Sequence, residues 1–302
     1  MISPLSKLRK EFINNKLDAI LISSVSNIVY LTNYSGFSEK EREAYLVILK
    51  NKQYILTDGR YTEAVKLLIP DFKLIEISSK NPVDKILKEL KKKDRIKKVG
   101  FEGNNISFSE HKKLLNRFDD SNHQNFDFLR SVKTPDEIYK IEKACKLGDK
   151  TFKHILKKIK LRVSEKELAN EIEFFIRQNK GDISFSPIVA FGKNSAIPHH
   201  KTSNQRLASN GQFVLLDFGV KLNNYCSDMT RTVFFGSPNT EQRKMYETVL
   251  ASQSHAIQYL KSLIINHYVN RPSSRSYLLR WWWHRPARIF HGTWWRCCQH
   301  QH

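Results

Sequence analysis

The stretch Phe213-Val214-Leu215-Leu216-Asp217-Phe218-Gly219, followed through Lys221-Leu222-Asn223-Asn224 to Tyr225-Cys226-Ser227-Asp228-Met229-Thr230-Arg231-Thr232-Val233-Phe234-Phe235-Gly236, decides how the second half of this chain is read. Two apolar, β-branched and aromatic runs flank a polar turn, the pattern of a hairpin. Asp217 and Asp228 interrupt these runs, although Asp is disfavoured in strands. A hairpin centred between Leu222 and Asn223 pairs 217 with 228 and sets the two carboxylates opposite each other, with Cβ atoms ~5 Å apart. Like charges so placed repel unless a cation lies between them. Paired carboxylates are hard oxygen donors suited to Mg or Mn. The other reading of the same spacing is two exposed acids in a longer loop.

Upstream, Ile188-Val189-Ala190-Phe191-Gly192 reads as another buried strand. Two helices come before it. Thr134-Pro135-Asp136-Glu137 is a capping box with Pro at the first helical position, and Ile138, Ile141, Cys145, Phe152, Ile155, Leu156 and Ile159 form an apolar stripe behind it. Cys145 falls on that stripe as a core residue. Ser164-Glu165-Lys166-Glu167 is a second capping box, opening a helix with Leu168, Ile172, Phe175 and Ile176 inward and closed by Gly181. Thr240 begins a last helix through Met245, Val249 and Ile257. Helices followed by strands give an α+β order.

Residues 1–130 instead alternate strands and helices, an α/β order. Leu17–Ile22, Ala44–Leu49, Gln53–Leu56 and Val99–Glu102 are strand-like; Tyr61–Leu68 and Val83–Leu90 are helical. Thr57-Asp58-Gly59-Arg60 is a turn.

Composition sets limits. The 302 residues are 40% hydrophobic and 27% charged, an ordinary globular balance. No apolar run reaches the ~18 residues of a membrane span. Met1 to Lys10 lacks the apolar core of a secretory signal, so the cytoplasm is the expected compartment. The four Cys form no disulfide framework. The net charge of +21 raises nucleic acid as a partner. The densest run, Lys91 to Lys98, has no interleaved aromatic or Gly residues of the kind base-stacking modules use, and reads as a solvated helix end.

The last 40 residues differ in kind. Leu263–His302 contain no Lys, Asp or Glu, but six Arg, five of the eleven His and all five Trp. Trp281-Trp282-Trp283 and Trp294-Trp295 fit neither a helical nor a strand period. His284, His291, His300, His302 and the adjacent Cys297-Cys298 do not match structural zinc spacing. Residues 263–302 read as an aberrant, out-of-frame tail; a genuine lineage-specific tail is the alternative.

The residues from Val214 to Gly219 and from Tyr225 to Thr232 resemble the pita-bread metallopeptidases, in particular the Xaa-Pro aminopeptidase and prolidase branch. Ser184-Phe185-Ser186-Pro187-Ile188-Val189-Ala190-Phe191-Gly192, then Asn194-Ser195-Ala196-Ile197-Pro198-His199, are similar to the same family. So is the linker Leu129-Arg130 and Lys133-Thr134-Pro135-Asp136-Glu137-Ile138. Asn27-Ile28-Val29-Tyr30-Leu31-Thr32 and Thr57-Asp58-Gly59-Arg60-Tyr61 resemble its creatinase-like N-terminal domain. The implied organisation is an α/β creatinase-like domain at 1–130, the N-terminal part of an incomplete α+β pita-bread catalytic domain at 131–262, and the tail at 263–302.

The resemblance implies a cytosolic, usually homodimeric exopeptidase acting on peptides with proline in the second position. Asp217 and Asp228 would be ligands of a site for two divalent ions, commonly Mn, Co or Zn. His199 matches the family's substrate-side His; by itself a His after Pro is an ordinary polar loop residue, and His200 is read as one. The family's three further ligands, a His and two Glu, have no match, and no Glu follows Glu247. Little or no activity is therefore expected of these 302 residues. A non-catalytic pseudo-peptidase that binds peptides or a partner, and a basic nucleic-acid-binding protein, are the alternatives.

Overall fold

Leu17–Ile22 is apolar at nearly every position because its strand is covered on both faces. In the computed structural model, which describes residues 3–115 and 118–269, β1 (Ala19–Ile22) lies inside a six-stranded sheet. Ile20 and Ile22 enter one apolar cluster, and Ala19 and Leu21 enter another on the opposite face. A strand buried on both sides loses the alternation of a half-exposed one.

The chain divides into two units, residues 1–132 and 133–302. In the first, α1 (Pro4–Asn15), β1, α2 (Val25–Thr32), β2 (Ala44–Leu49), β3 (Gln53–Asp58), α3 (Thr62–Leu68), β4 (Lys73–Ile77), α4 (Val83–Asp94), β5 (Lys98–Glu102), a short α5 (Phe108–Glu110), β6 (Asp120–Gln124) and α6 (Phe128–Ser131) build a mixed sheet of order β4-β3-β2-β1-β5-β6. The outer pairs β3–β4 and β5–β6 are parallel. Leu8, Phe12, Ile28 and Val65 cover one face; Ile86, Leu87 and Leu90 of α4 cover the other. The lysine run sits at the end of α4 and the start of β5, where Lys91 pairs with Asp119 at 2.7 Å and Lys98 with Asp120 at 3.3 Å.

The second unit opens with α7 (Pro135–Leu156) and α8 (Glu165–Gln178), each with its capping box formed. After β7 (Asp182–Ile183) and β8 (Ile188–Phe191) come a 3₁₀ turn at Gly192–Ala196, then β9 (Gln212–Phe218), β10 (Val220–Leu222), β11 (Tyr225–Cys226), β12 (Met229–Phe235) and α9 (Thr240–Val269). Two small antiparallel sheets result, ordered β11-β10-β7 and β12-β9-β8. The buried line of α7 keeps the expected Phe152 and Ile155, with Leu156 and Ile159 packed beside them, and departs from the expected stripe in the first half of the helix. Ala144, Leu147, Gly148, Thr151, Phe152 and Ile155 are buried, whereas Ile138, Ile141 and Cys145 are half-buried. Small residues let the strand ribbon approach: a Cβ on Gly148 would lie 3.6 Å from both Met229 Cε and Ser227 Oγ. Phe175 is half-buried too, with its ring stacked on His154 at 4.2 Å.

Met245 and Val249 on α9 are exposed, at 62% and 64%. The helix backbone runs past residue 262 to Val269. Residues 270–302, with the Trp clusters and the His and Cys residues considered for zinc, lie outside the described residues. No helix among the described residues is long and apolar enough to cross a membrane.

Candidate metal centre

The ribbon that carries the two aspartates turns one residue later than expected. Lys221 pairs with Cys226 and Leu222 with Tyr225, so Asn223-Asn224 forms the turn. Both Asn residues have positive φ, 50° and 65°, as a two-residue hairpin turn that follows the strand twist requires. Asn tolerates that conformation and Leu222 does not. The same register holds along β9 and β12, where Asp217 pairs with Thr230. The expected pairing of 217 with 228 is therefore corrected: Asp228 stands one diagonal step away, two residues before Thr230.

A two-residue slip keeps the parity of the faces. Phe218, Val220, Ser227 and Met229 are buried on the core side; Thr230, on the opposite face, and Asp228 are exposed, and Asp217 is half-buried. Asp217 shares its face with Thr230, and Asp228 lies exposed in the short link between β11 and β12. The diagonal spacing is about 7 Å between backbone positions, and somewhat less between Cβ atoms. A diagonal placement would relax the like-charge repulsion of a direct pair.

Close backbone packing holds the ribbon here. The Val220 amide donates to Ser227 Oγ at 3.1 Å, and the Ser227 amide donates to the Val220 carbonyl at 2.7 Å. The Gly219 carbonyl accepts the Ser184 amide at 3.1 Å. A Cβ at Gly219 would lie 1.9 Å from Ser184 Oγ and 2.2 Å from the Ser227 carbonyl oxygen. The hairpin tip is tied to α7, because the Tyr225 hydroxyl donates to Glu137 at 3.2 Å.

Asp217 is on the central strand, between Ile188 of β8 and Thr230 of β12. Its Oδ1 accepts the Thr230 hydroxyl at 3.0 Å, which orients the carboxylate. Among the described residues Asp228 has no hydrogen bond or ion pair. Apart from Asp217 Oδ1, the oxygens of the two carboxylates accept no hydrogen bond among the described residues, which suits a hard divalent ion. Among the described residues no three His, Cys, Asp or Glu side chains gather into a metal-binding group. Asp217 and Asp228 would supply two ligands, with water completing the shell.

His199 lies on the loop after the 3₁₀ turn, exposed, in the left-handed region with φ 53°. The described residues show no contact between it and either aspartate. His200, read as an ordinary loop residue, has a defined partner instead. Its Nε2 donates to Oε2 of Glu165 at 2.9 Å, and its side chain is only 11% exposed. Glu165, the first residue of α8, is 0% exposed. Burial by itself would raise its carboxyl pKa; hydrogen bonds from His200, Ser203, Asn194 and Phe191 outweigh that and hold it below the ordinary carboxylate value. Sequence reasoning saw Glu165 only as part of a capping box.

The profile of the Creatinase/Prolidase N-terminal domain matches residues 4–132, and that of Metallopeptidase family M24 matches residues 139–267. The peptidase YqhT of Bacillus subtilis is 33% identical over 262 residues, covering 85% of this chain and 72% of that protein. The peptidase SAB1567 of Staphylococcus aureus is 32% identical over 266 residues, covering 86% and 74%. Among solved structures, an Xaa-Pro dipeptidase from Bacillus anthracis shares 31% identity with a TM-score of 0.74, covering 84% of this chain and 70% of that one. A prolidase from Pyrococcus horikoshii shares 27% identity with a TM-score of 0.72, covering 84% and 71%. The creatinase-like α/β unit followed by an α+β pita-bread unit is the architecture expected from the residues. The chain belongs to metallopeptidase family M24, with a creatinase/prolidase-type domain preceding the peptidase domain.

Proposed function

We propose that this chain carries a divalent-metal site of a proline-specific exopeptidase, with Asp217 and Asp228 as metal ligands and His199 on the substrate side. The observation that supports this most strongly is the Asp217–Thr230 pairing: Thr230 orients the Asp217 carboxylate, and Asp228 lies exposed two residues before Thr230. A bound ion pair of Mn, Co or Zn would supply a Lewis acid and an activated water for attack on the scissile carbonyl. The chain's own residues would fix the ions through Asp217 and Asp228. The His199 imidazole would donate a hydrogen bond to the oxygen of the carbonyl under attack. Peptides with proline in the second position are the proposed substrates, in keeping with the Xaa-Pro dipeptidase and prolidase among the similar structures. A homodimer is part of the same proposal, and sedimentation velocity reads it. The cytoplasm is the proposed compartment, in keeping with four Cys too few and too badly spaced for a disulfide framework.

Two carboxylates leave most of an ion's coordination to water, whereas catalytic sites fix three or more protein ligands. We therefore infer that the 302-residue chain by itself cleaves little or nothing. Hydrolysis of an Xaa-Pro dipeptide in the presence of Mn²⁺ tests this. The expected result is turnover at background level. Robust cleavage that EDTA abolishes and that Asp217→Asn also abolishes would overturn the inactivity while supporting the site. Robust cleavage that persists in Asp217→Asn would overturn the site itself.

A further inference from the structure

The loop from Gly192 to Ser203 leaves β8, the strand beside that of Asp217, and carries His199. It is held from beneath by one carboxylate. Oε1 of Glu165 accepts the Phe191 amide at 2.9 Å and the Asn194 side-chain amide at 2.8 Å. Oε2 accepts His200 Nε2 at 2.9 Å, the Ser203 amide at 3.0 Å and the Ser203 hydroxyl at 2.7 Å. Phe191 and Asn194 are at the start of the loop, and His200 and Ser203 are at its end. A single buried charge therefore clamps both ends. Its place at the first turn of α8 favours the ionised form, because helix N-terminal dipoles stabilise anions.

His199 is next to the clamped His200 and has left-handed backbone. A non-glycine residue holds such a conformation where its surroundings over-determine it. The clamp on His200 supplies that constraint. We propose that Glu165 is a positioning residue: it fixes the 192–203 loop through His200, Asn194 and Ser203, and so sets where His199 stands relative to Asp217. This rests on the reading of Asp217, Asp228 and His199 as one site. All five partners are donors, so a glutamine in place of Glu165 would turn its own amide hydrogens toward donor groups and could not reproduce the clamp.

The test uses the 302-residue chain with isotope-labelled histidine, and the His199 signal assigned through His199→Gln. Excess Mn²⁺ bound at the aspartates broadens nearby nuclei paramagnetically. In the parent chain the His199 ring signals are expected to broaden, and Asp217→Asn is expected to remove that effect. In His200→Ala, which deletes one of five donors and leaves the helix and strands intact, the His199 broadening is lost while Mn²⁺ affinity is unchanged. Amide hydrogen exchange of the loop up to Ser203 speeds up about tenfold or more, as expected for loss of a hydrogen bond to a charged group. Glu165→Gln is expected to show both effects more strongly. Unchanged broadening and unchanged exchange in His200→Ala would overturn the clamp alone. Bound Mn²⁺ with no broadening of His199 in the parent would overturn the shared site, and this positioning role with it.

Discussion

Glu165 and the pair Asp217–Asp228 lie in the same unit, yet the protein treats them in opposite ways. Glu165 is fully buried, and five donors occupy its two oxygens. Asp217 is half-buried with a hydroxyl on one oxygen, and Asp228 is exposed without a partner among the described residues. A saturated, buried carboxylate organises the chain around it; an open one on a rigid strand is available to something else. Glu102 in the first unit repeats the saturated pattern: it is 5% exposed and accepts from Ser23, Ser24 and Asn27. Each unit thus has a buried glutamate where a strand end, a loop and a helix start converge.

The contrast breaks most visibly in stability. Glu165→Gln or Glu102→Gln is expected to cost about 3 kcal/mol, because buried donors lose their acceptor. Asp217→Asn and Asp228→Asn are expected to stay within about 0.5 kcal/mol of the parent. Urea unfolding of the four variants checks this; a large loss in the aspartate variants would place them with the structural carboxylates.

Gly219→Ala should come next, at about 1–3 kcal/mol, since its Cβ has no room beside Ser184 and Ser227. Reduced Mn²⁺ affinity should accompany the loss, because the Ser227 carbonyl that the new Cβ would displace immediately precedes Asp228.

A pH series sharpens the comparison further. The Glu165 carboxyl titrates below its ordinary value of 4.5. Its contribution is therefore fully present above that value and is lost as pH falls through the lower, folded one. The stability gap between the parent and Glu165→Gln should be widest near neutrality and narrow below 4.5. A gap that stays constant down to the acid transition would mean that folding does not lower the Glu165 pKa.

The smallest expected effect is that of Thr230→Val. Thr230 is exposed, so stability should change by less than about 0.5 kcal/mol. Mn²⁺ should bind a few-fold more weakly, because the hydrogen bond that orients Asp217 is gone. Equal affinity would show that Asp217 needs no orientation.

The residues disclosed the face of the ribbon but not its register. Apolar alternation through Phe218, Val220, Ser227 and Met229 sets which side is buried, and that parity survives a slip of two. The turn centre depended on a finer signal, the tolerance of Asn223 and Asn224 for positive φ. β6, Asp120–Gln124, was not legible because its residues are polar and it takes strand form only by pairing with β5. Glu165 was illegible as an anchor for a different reason: its donors lie 26 to 38 residues away in sequence. A capping box announces itself within four residues; a buried clamp appears only when the loop has folded back.

Calorimetric titration of Mn²⁺ into the parent chain, Asp217→Asn and Asp228→Asn tests the metal site most directly. Each substitution would remove one charged oxygen donor from the proposed pair. Weak but saturable binding in the parent, and loss of measurable binding in both variants, is the predicted result. Parent-like binding in both variants would show that the ribbon carries no metal site.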